Sequence, residues 1–199
     1  MAPRAYSMQQ RSEQVARTRE RILDAAVEIF TQRGARGTTM TEVARAADVA
    51  TATVTNHFAT PELLLQAVVD RLMAEIQMPD DSIFAGTRST PARLRALTAA
   101  MFAFYERTSQ WFALLGAEIT DVPVLAQADA DFKRAMQRLY THALAGVTDE
   151  TLGKVVAGLV HPGTYFTLRQ AGLSVDEATE IVADALTHQA RKRPHPPAT

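Results

Sequence analysis

Residues 39–58, TMTEVARAADVATATVTNHF, constrain the fold more than any other stretch of the chain. Thr39-Met-Thr-Glu42 has the spacing of a capping box, in which a hydroxyl and a carboxylate three residues on satisfy orphan helix amides. The spacing predicts a short helix running to about Ala47 and a second from about Thr51 to His57, joined by a tight turn. Two such helices can cross steeply only over small or slim side chains. Val43, Ala44, Ala47, Val49 and Val54 supply them: Ala44 permits close approach, Val49 plugs the turn, and Val54 with Phe58 anchors the second helix from beneath. What remains outside is Thr51, Ala52, Thr55 and Asn56, with Thr53 at the edge. A small, polar, uncharged helix face suits a major groove about 12 Å wide, where Asn bonds adenine and Thr reaches base edges or a thymine methyl.

The flanking sequence is helical as well. Between Arg17 and Arg33, Arg21, Asp24, Glu28, Thr31 and Gln32 fall on one stripe and Ile22, Ala25, Ala26, Ile29 and Phe30 on the opposite one, the pattern of an amphipathic helix. Gly34 is its natural left-handed stop. Thr60 caps a further helix with Pro61 in its first position, and Leu64, Ala67, Val68 and Leu72 form its apolar stripe. The turn-rich run 78–90 marks a domain boundary near Gln77. Beyond it, helices are expected from Thr90-Pro91 through Tyr105, then at about 110–119, 123–145, 149–171 and 175–190. Ser174-Val-Asp-Glu177 is a second capping box, and His161-Pro162-Gly163 should kink the penultimate helix. No alternating β-branched run reads as a strand, and the Ala- and Leu-rich composition favours helix.

Composition narrows the function classes. With no cysteine among 199 residues, disulfides, thiolate metal sites and thiol redox sensing are excluded, which fits a cytoplasmic protein. No run approaches the roughly 18 apolar residues of a membrane span, and MAPRAYSMQQR lacks the apolar core of a signal peptide. The formal net charge of −1 excludes a polycation, although residues 1–60 are slightly basic and the remainder slightly acidic. The five histidines lack metal-ligand spacing and the nine glycines form no phosphate loop, so neither a metal, a cofactor nor an enzyme is expected. Phosphate contacts are expected from Thr39 and Thr41 at the first short helix, from Arg36 and His57, and from Arg11, Arg17 and Arg19.

The stretch from about Thr18 to Met73 resembles the DNA-binding domain of the TetR family of transcriptional regulators. The resemblance rests on R-I-L-D-A-A-V-E-I-F at 21–30, Gly34, T-T-M-T-E-V-A at 38–44, Ala47, Val49, T-V at 53–54, H-F at 57–58 and P-E-L-L at 61–64. It implies an all-α chain of about nine helices. Residues 17–77 would form a three-helix helix-turn-helix domain and residues 78–190 a larger ligand-binding and dimerisation domain, between a flexible arm (1–16) and a disordered tail (191–199). It also implies a homodimer that represses from a palindromic operator on double-stranded DNA and is released by a small molecule. Four positions depart from the family pattern. Asp48 replaces a usual Gly, and Ala50 replaces a usual Ser cap, which leaves Thr51 to cap. Thr55 stands in place of an aromatic. Pro61 stands in place of a phosphate-binding Lys, so a shallower salt dependence is expected, by roughly 0.9 in slope per lost phosphate contact.

In the C-terminal half, Met101, Phe102, Phe104, Tyr105, Trp111, Phe112 and Leu115 with Phe132, Met136 and Tyr140 are candidate pocket residues for a flat or apolar effector. Tyr105, Tyr140, Glu118 or His142 would orient it. The last two expected helices resemble the pair that family members use across the dimer two-fold. Here Leu152, Val155, Val156, Leu159 and Tyr165 would meet Ala178, Ile181, Val182, Ala185 and Leu186.

Overall fold

The computed structural model describes residues 3–115, 118–119 and 121–192. All its helices are α except one 3-10 turn, Asp81–Phe84. In order they are α1 (Pro3–Arg33), α2 (Met40–Ala46), α3 (Thr51–His57), α4 (Pro61–Ile76), α5 (Thr90–Arg107), α6 (Ser109–Leu115), α7 (Pro123–Ala143), α8 (Glu150–Leu159), α9 (Pro162–Gln170) and α10 (Val175–Lys192). The described residues form no strand, as the absence of period-two patterning requires. No described helix is long and apolar enough to cross a membrane.

The chain divides into two units: Met1–Ile76 with Trp111–Asp129, and Gln77–Gln110 with Ala130–Thr199. One boundary falls between Ile76 and Gln77, and residues 111–129 group with the first unit rather than the second. Their side chains explain it. Trp111 stacks on Phe30 with ring centroids 6.4 Å apart. Leu125 is buried in the first unit's core, and Ile119, Val122 and Val124 pack against that core.

In the first unit α1, α2, α3 and α4 bury one apolar cluster. Ile22, Ala26 and Phe30 of α1, Val43 and Ala44 of α2, Val54 of α3, and Leu64, Val68 and Leu72 of α4 are its centre. α1 starts at Pro3, not near Arg17, so the expected arm over residues 1–16 is helical from Pro3 onward. Pro3 fits the first helical position, no Gly or Pro interrupts the run that follows, and Arg17 pairs with Glu13 one turn back at 3.3 Å. α1 ends at Gly34 with φ +73, whose N–H bonds Phe30 O at 2.8 Å. A Cβ there would come within 2.7 Å of the Glu118 carboxylate, so both conformation and space demand glycine.

In the second unit α5 packs along α10. Leu94, Leu97, Met101, Phe102 and Tyr105 of α5 are buried with Ala178, Val182, Ala183 and Leu186 of α10, Leu152 and Val156 of α8, and Tyr165 of α9. His161-Pro162-Gly163 does not kink one helix but separates two. Pro162 starts α9, and His161 caps it by accepting the Gly163 N–H at Nδ1, 3.0 Å away. The second capping box forms in full. Ser174 Oγ accepts the Glu177 N–H, while the Glu177 carboxylate accepts both the N–H and the hydroxyl of Ser174. The expected tail from 191 is helical through Lys192, and its residues 193–199 lie outside the described residues.

Candidate nucleic-acid interface

The helix-turn-helix is built as the sequence requires. Thr39 caps α2 by accepting the Glu42 N–H at 3.2 Å. The reciprocal half of this box differs from expectation, because Glu42 Oε2 accepts the Thr39 hydroxyl at 3.1 Å and Oε1 accepts Arg33 at 3.1 Å. A carboxylate thus already faces the cationic end of α2, where a phosphate had been expected.

The turn between α2 and α3 closes as a Schellman motif. The Asp48 N–H bonds Arg45 O at 3.3 Å and the Val49 N–H bonds Ala44 O at 3.0 Å. Asp48 takes the left-handed position with φ +52, which Asp tolerates better than most residues. Arg21 reaches from α1 to donate to Ala47 O at 2.6 Å and Asp48 O at 3.5 Å. This ties the turn's last carbonyls to α1 and was not foreseen, because a lone Arg on a polar stripe looks like any solvated residue. Val49 is half-buried in the turn.

α3 starts without a side-chain cap. Ala50 occupies the cap position and makes no such bond, and Thr51 lies inside the helix instead of capping it. The reason is geometric: a capping residue must be extended, and only Ala50, with φ −70 and ψ 147, is. Val54 is completely buried, and Phe58 is buried beneath the Arg19 guanidinium, 4.6 Å from the ring centroid. Thr51, Ala52, Thr55 and Asn56 are exposed, while Thr53 and His57 are half-exposed. Every position expected on the outer face of α3 is therefore accessible and every position expected beneath it is buried. The Thr55 hydroxyl donates to Thr51 O at 3.1 Å, leaving its lone pairs outward.

The flanking cations are more committed than their spacing suggests. Arg36 pairs with Asp121 at 2.5 Å, and the amides of Ala35 and Arg36 donate to the Glu118 carboxylate at 2.6 and 3.3 Å. Arg17 pairs with Glu13, and Arg19 covers Phe58. Thr39 and Thr41 are exposed, as are Arg11 and Arg45. Arg45 is not singled out by the sequence; it lies in the last turn of α2, and its carbonyl accepts the Asp48 N–H of the turn.

The candidate effector residues are divided between the two units. Trp111, Phe112, Leu115 and Glu118 fall in the first unit, and Met101, Phe102, Phe104, Tyr105, Phe132, Met136, Tyr140 and His142 fall in the second. Trp111 packs on Phe30, Glu118 holds the turn after α1, and the side chain of Leu115 lies outside the described residues. In the second unit Met101, Phe102, Phe104, Tyr105 and Met136 are core. The Tyr105 hydroxyl donates to Val160 O at 3.0 Å, and burial raises its pKa above the usual phenol range. Phe132 stacks on Phe104 at 6.0 Å. Tyr140 is half-buried, and burial pushes its hydroxyl up to about 12. His142 lies over Phe84 at 4.5 Å and 3.2 Å from Asp81.

The candidate interface residues divide by burial. Leu152, Val156, Tyr165, Ala178, Val182 and Leu186 pack inside their own unit. Ile181 and Ala185 are exposed and Val155 and Leu159 half-buried, so only these stay available. Tyr165 is held inward because its hydroxyl donates to Glu106, which Arg169 also contacts at 3.1 Å.

Comparison with known proteins agrees with this geometry. Two short helices crossing over small side chains, with an exposed polar second helix, define a helix-turn-helix protein. Residues 22–68 match the family model described as bacterial regulatory proteins, tetR family. An HTH-type transcriptional regulator from the dhlA 5' region of Xanthobacter autotrophicus is 38% identical over 80 residues. That match spans 39% of this chain and 40% of the relative, well under half of either. A TetR-like transcriptional regulator from Rhodococcus sp. RHA1 superposes with a TM-score of 0.63 at 17% identity, covering 89% of this chain and 97% of that one. The multidrug binding protein EbrR, complexed with imidazole, gives 0.58 at 22% identity over 90% and 92%. At these identities the structural likeness establishes a shared all-helical fold.

Proposed function

We propose that the protein is a sequence-specific DNA-binding transcriptional regulator, acting as a homodimeric repressor on a palindromic operator and released by a small apolar or aromatic molecule. The observation that carries this reading is the outer face of α3. Thr51, Ala52, Thr55 and Asn56 are exposed above the completely buried Val54, on a turn held by Arg21. Such a face carries no charge to be desolvated and offers Asn and Thr groups matched to base edges. Phosphate contacts then come from Thr39, Thr41, Arg11, Arg45 and His57, and from Arg36 once it leaves Asp121.

Dimerisation through Ile181, Ala185, Val155 and Leu159 would give a two-fold that matches a palindrome. Effector release is supported by the ligand-bound multidrug-binding neighbour and, in this chain, by the half-buried Phe132 and Tyr140 at the margin of the second unit's aromatic core. The function requires neither catalysis nor a cofactor, and it places the protein in the cytoplasm.

The test is fluorescence anisotropy on palindromic fragments upstream of the chain's own gene. Asn56→Ala should cost about 1–3 kcal/mol of specific binding while leaving the far-UV dichroism unchanged. Equal binding of wild type and variant to every such fragment would remove α3 as the reading element.

A further inference from the structure

Within the second unit, a cleft of about 830 Å³ opens between the start of α5, the turn joining α7 to α8 and the end of α10. We propose that this cleft is a binding site for a small amphipathic anion, a phosphate or carboxylate head on an apolar body.

Charge is the first argument. Arg88, Arg93, Arg191 and Lys192 line the cleft against the single carboxylate of Asp149, in a chain whose net charge is −1. Asp149 is already engaged. It caps α8 by accepting the Thr151 and Leu152 N–H groups at 2.8 and 3.2 Å. Arg93 is a fixed point, donating to Ala143 O, Ala145 O and Thr90 Oγ1.

Placement is the second argument. Cations in the last turn of a helix answer the negative end of its dipole, and that would account for Arg191 and Lys192 on α10. It does not account for Arg88. That residue precedes Ser89, the cap of α5, and so stands at a positive helix end whose first turn holds no acid. A cation is disfavoured there, and Arg88 is exposed with no carboxylate partner among the described residues. A bound anion would relieve both this dipole and the mutual repulsion of the cationic lining, and arginine forks are suited to grip it.

The floor is the third. Leu152 is buried, and Pro91 and Val147 are half-buried apolar side chains in the same lining. A hydrated inorganic ion leaves that surface wet, whereas an alkyl body covers it.

The experiment is isothermal titration of the full chain, without DNA, at low ionic strength with n-hexyl phosphate, inorganic phosphate and hexanol. Arg88→Ser/Arg191→Ser is the variant, since neither side chain supports a described internal contact; circular dichroism checks its fold. Hexyl phosphate should bind more tightly than inorganic phosphate, hexanol should give no saturable heat, and added salt should weaken the binding. The double variant should lose roughly tenfold or more, the worth of a charge-assisted contact. Three results would overturn the site: no saturable heat with hexyl phosphate, equal affinity for the two phosphates, or undiminished binding by the variant. If the variant keeps its phosphate binding but loses duplex binding in the separate anisotropy assay, the site is overturned and the patch is a nucleic-acid contact instead. Because the titration omits DNA, its outcome is separate from that of the operator assay.

Discussion

The α2–α3 pair and the α8–α10 helices were read from the same kind of pattern, and only the first matches position by position. In α3 each side chain expected outside is accessible and Val54 beneath is completely buried. In α8 and α10, Leu152, Val156, Ala178, Val182 and Leu186 were expected at an interface and are core. The difference lies in how much of each helix is apolar. α3 is seven residues, TATVTNH, with one large aliphatic side chain, Val54, to bury, so only one orientation hides it. α8, ETLGKVVAGL, has a single apolar stripe of Leu152, Val155, Val156 and Leu159, of which two are buried and two half-buried, and periodicity cannot separate the part that packs inside from a part that could meet a partner. The extra information is which helix lies opposite, and that is a tertiary fact.

The largest expected effect separates the two roles inside the second unit. Leu152→Ala should destabilise the chain by about 2–5 kcal/mol through cavity formation, read as a lower urea midpoint, without altering mass by light scattering. Ile181→Asp should do the reverse. Ile181 is 53% exposed, so its charge costs the subunit itself no more than about 0.5 kcal/mol, yet it should yield a monomer. A dimeric Ile181→Asp protein would place the two-fold on some other face.

Arg21 tests how far the first unit's turn depends on one side chain. Arg21→Ala removes donors to Ala47 O and Asp48 O and should cost about 1 kcal/mol, the low end for a charged donor because the arginine is exposed. The amides of Asp48 and Val49 should then exchange faster with solvent while those of α5 do not change. Uniform acceleration across the chain would mean global unfolding and a different role for Arg21.

Much of the first unit was legible because its decisive residues are strongly typed. Thr39, Gly34, Thr60 with Pro61, and the small residues of the crossing each have one favoured local use, and the structure uses them so. What the sequence could not show is long-range. Glu118 accepts amides 83 and 82 positions away, and Arg36 spends its charge on Asp121. Residues 111–129 join the first unit because Trp111, Ile119 and Leu125 fit its core, which no periodicity reports. Most of the aromatic and Met positions of α5 and α7 are packing, since helical spacing alone does not distinguish a lined cavity from a filled one.

Tyr165 sharpens the contrast through pH. Its hydrogen bond to Glu106, followed by the contact with Arg169, holds the Glu106 carboxyl below its ordinary range. A carboxyl whose folded pKa is depressed stabilises the fold above its unfolded pKa, and that contribution fades as pH falls through the folded value. Tyr165 runs the other way: burial first, then Glu106, pushes it up to about 12. Its contribution is complete below the unfolded phenol pKa and fades as pH climbs through the folded value of about 12. Tyr165→Phe should therefore flatten the acid limb of melting temperature against pH and leave the dimer intact. A steeper acid limb, or dissociation to monomers, would return Tyr165 to the interface.

Asp48→Gly should have the smallest effect on stability and bears on the departure that most distinguishes this turn. With φ +52, Asp48 carries a left-handed cost that glycine avoids. Glycine, however, gives up roughly 0.5–1 kcal/mol more conformational entropy on folding. The two nearly cancel, so the unfolding midpoint should barely move. Binding to DNA should improve, because an exposed carboxylate beside α3 repels phosphates within a Debye length of about 10 Å at 0.1 M salt. That gain should shrink as salt is raised, since it is screened Coulomb repulsion and not a lost contact. A gain that persists at high salt would locate the effect in the shape of the turn, and the α2–α3 crossing would then be less rigidly set by its small side chains than its burial pattern implies.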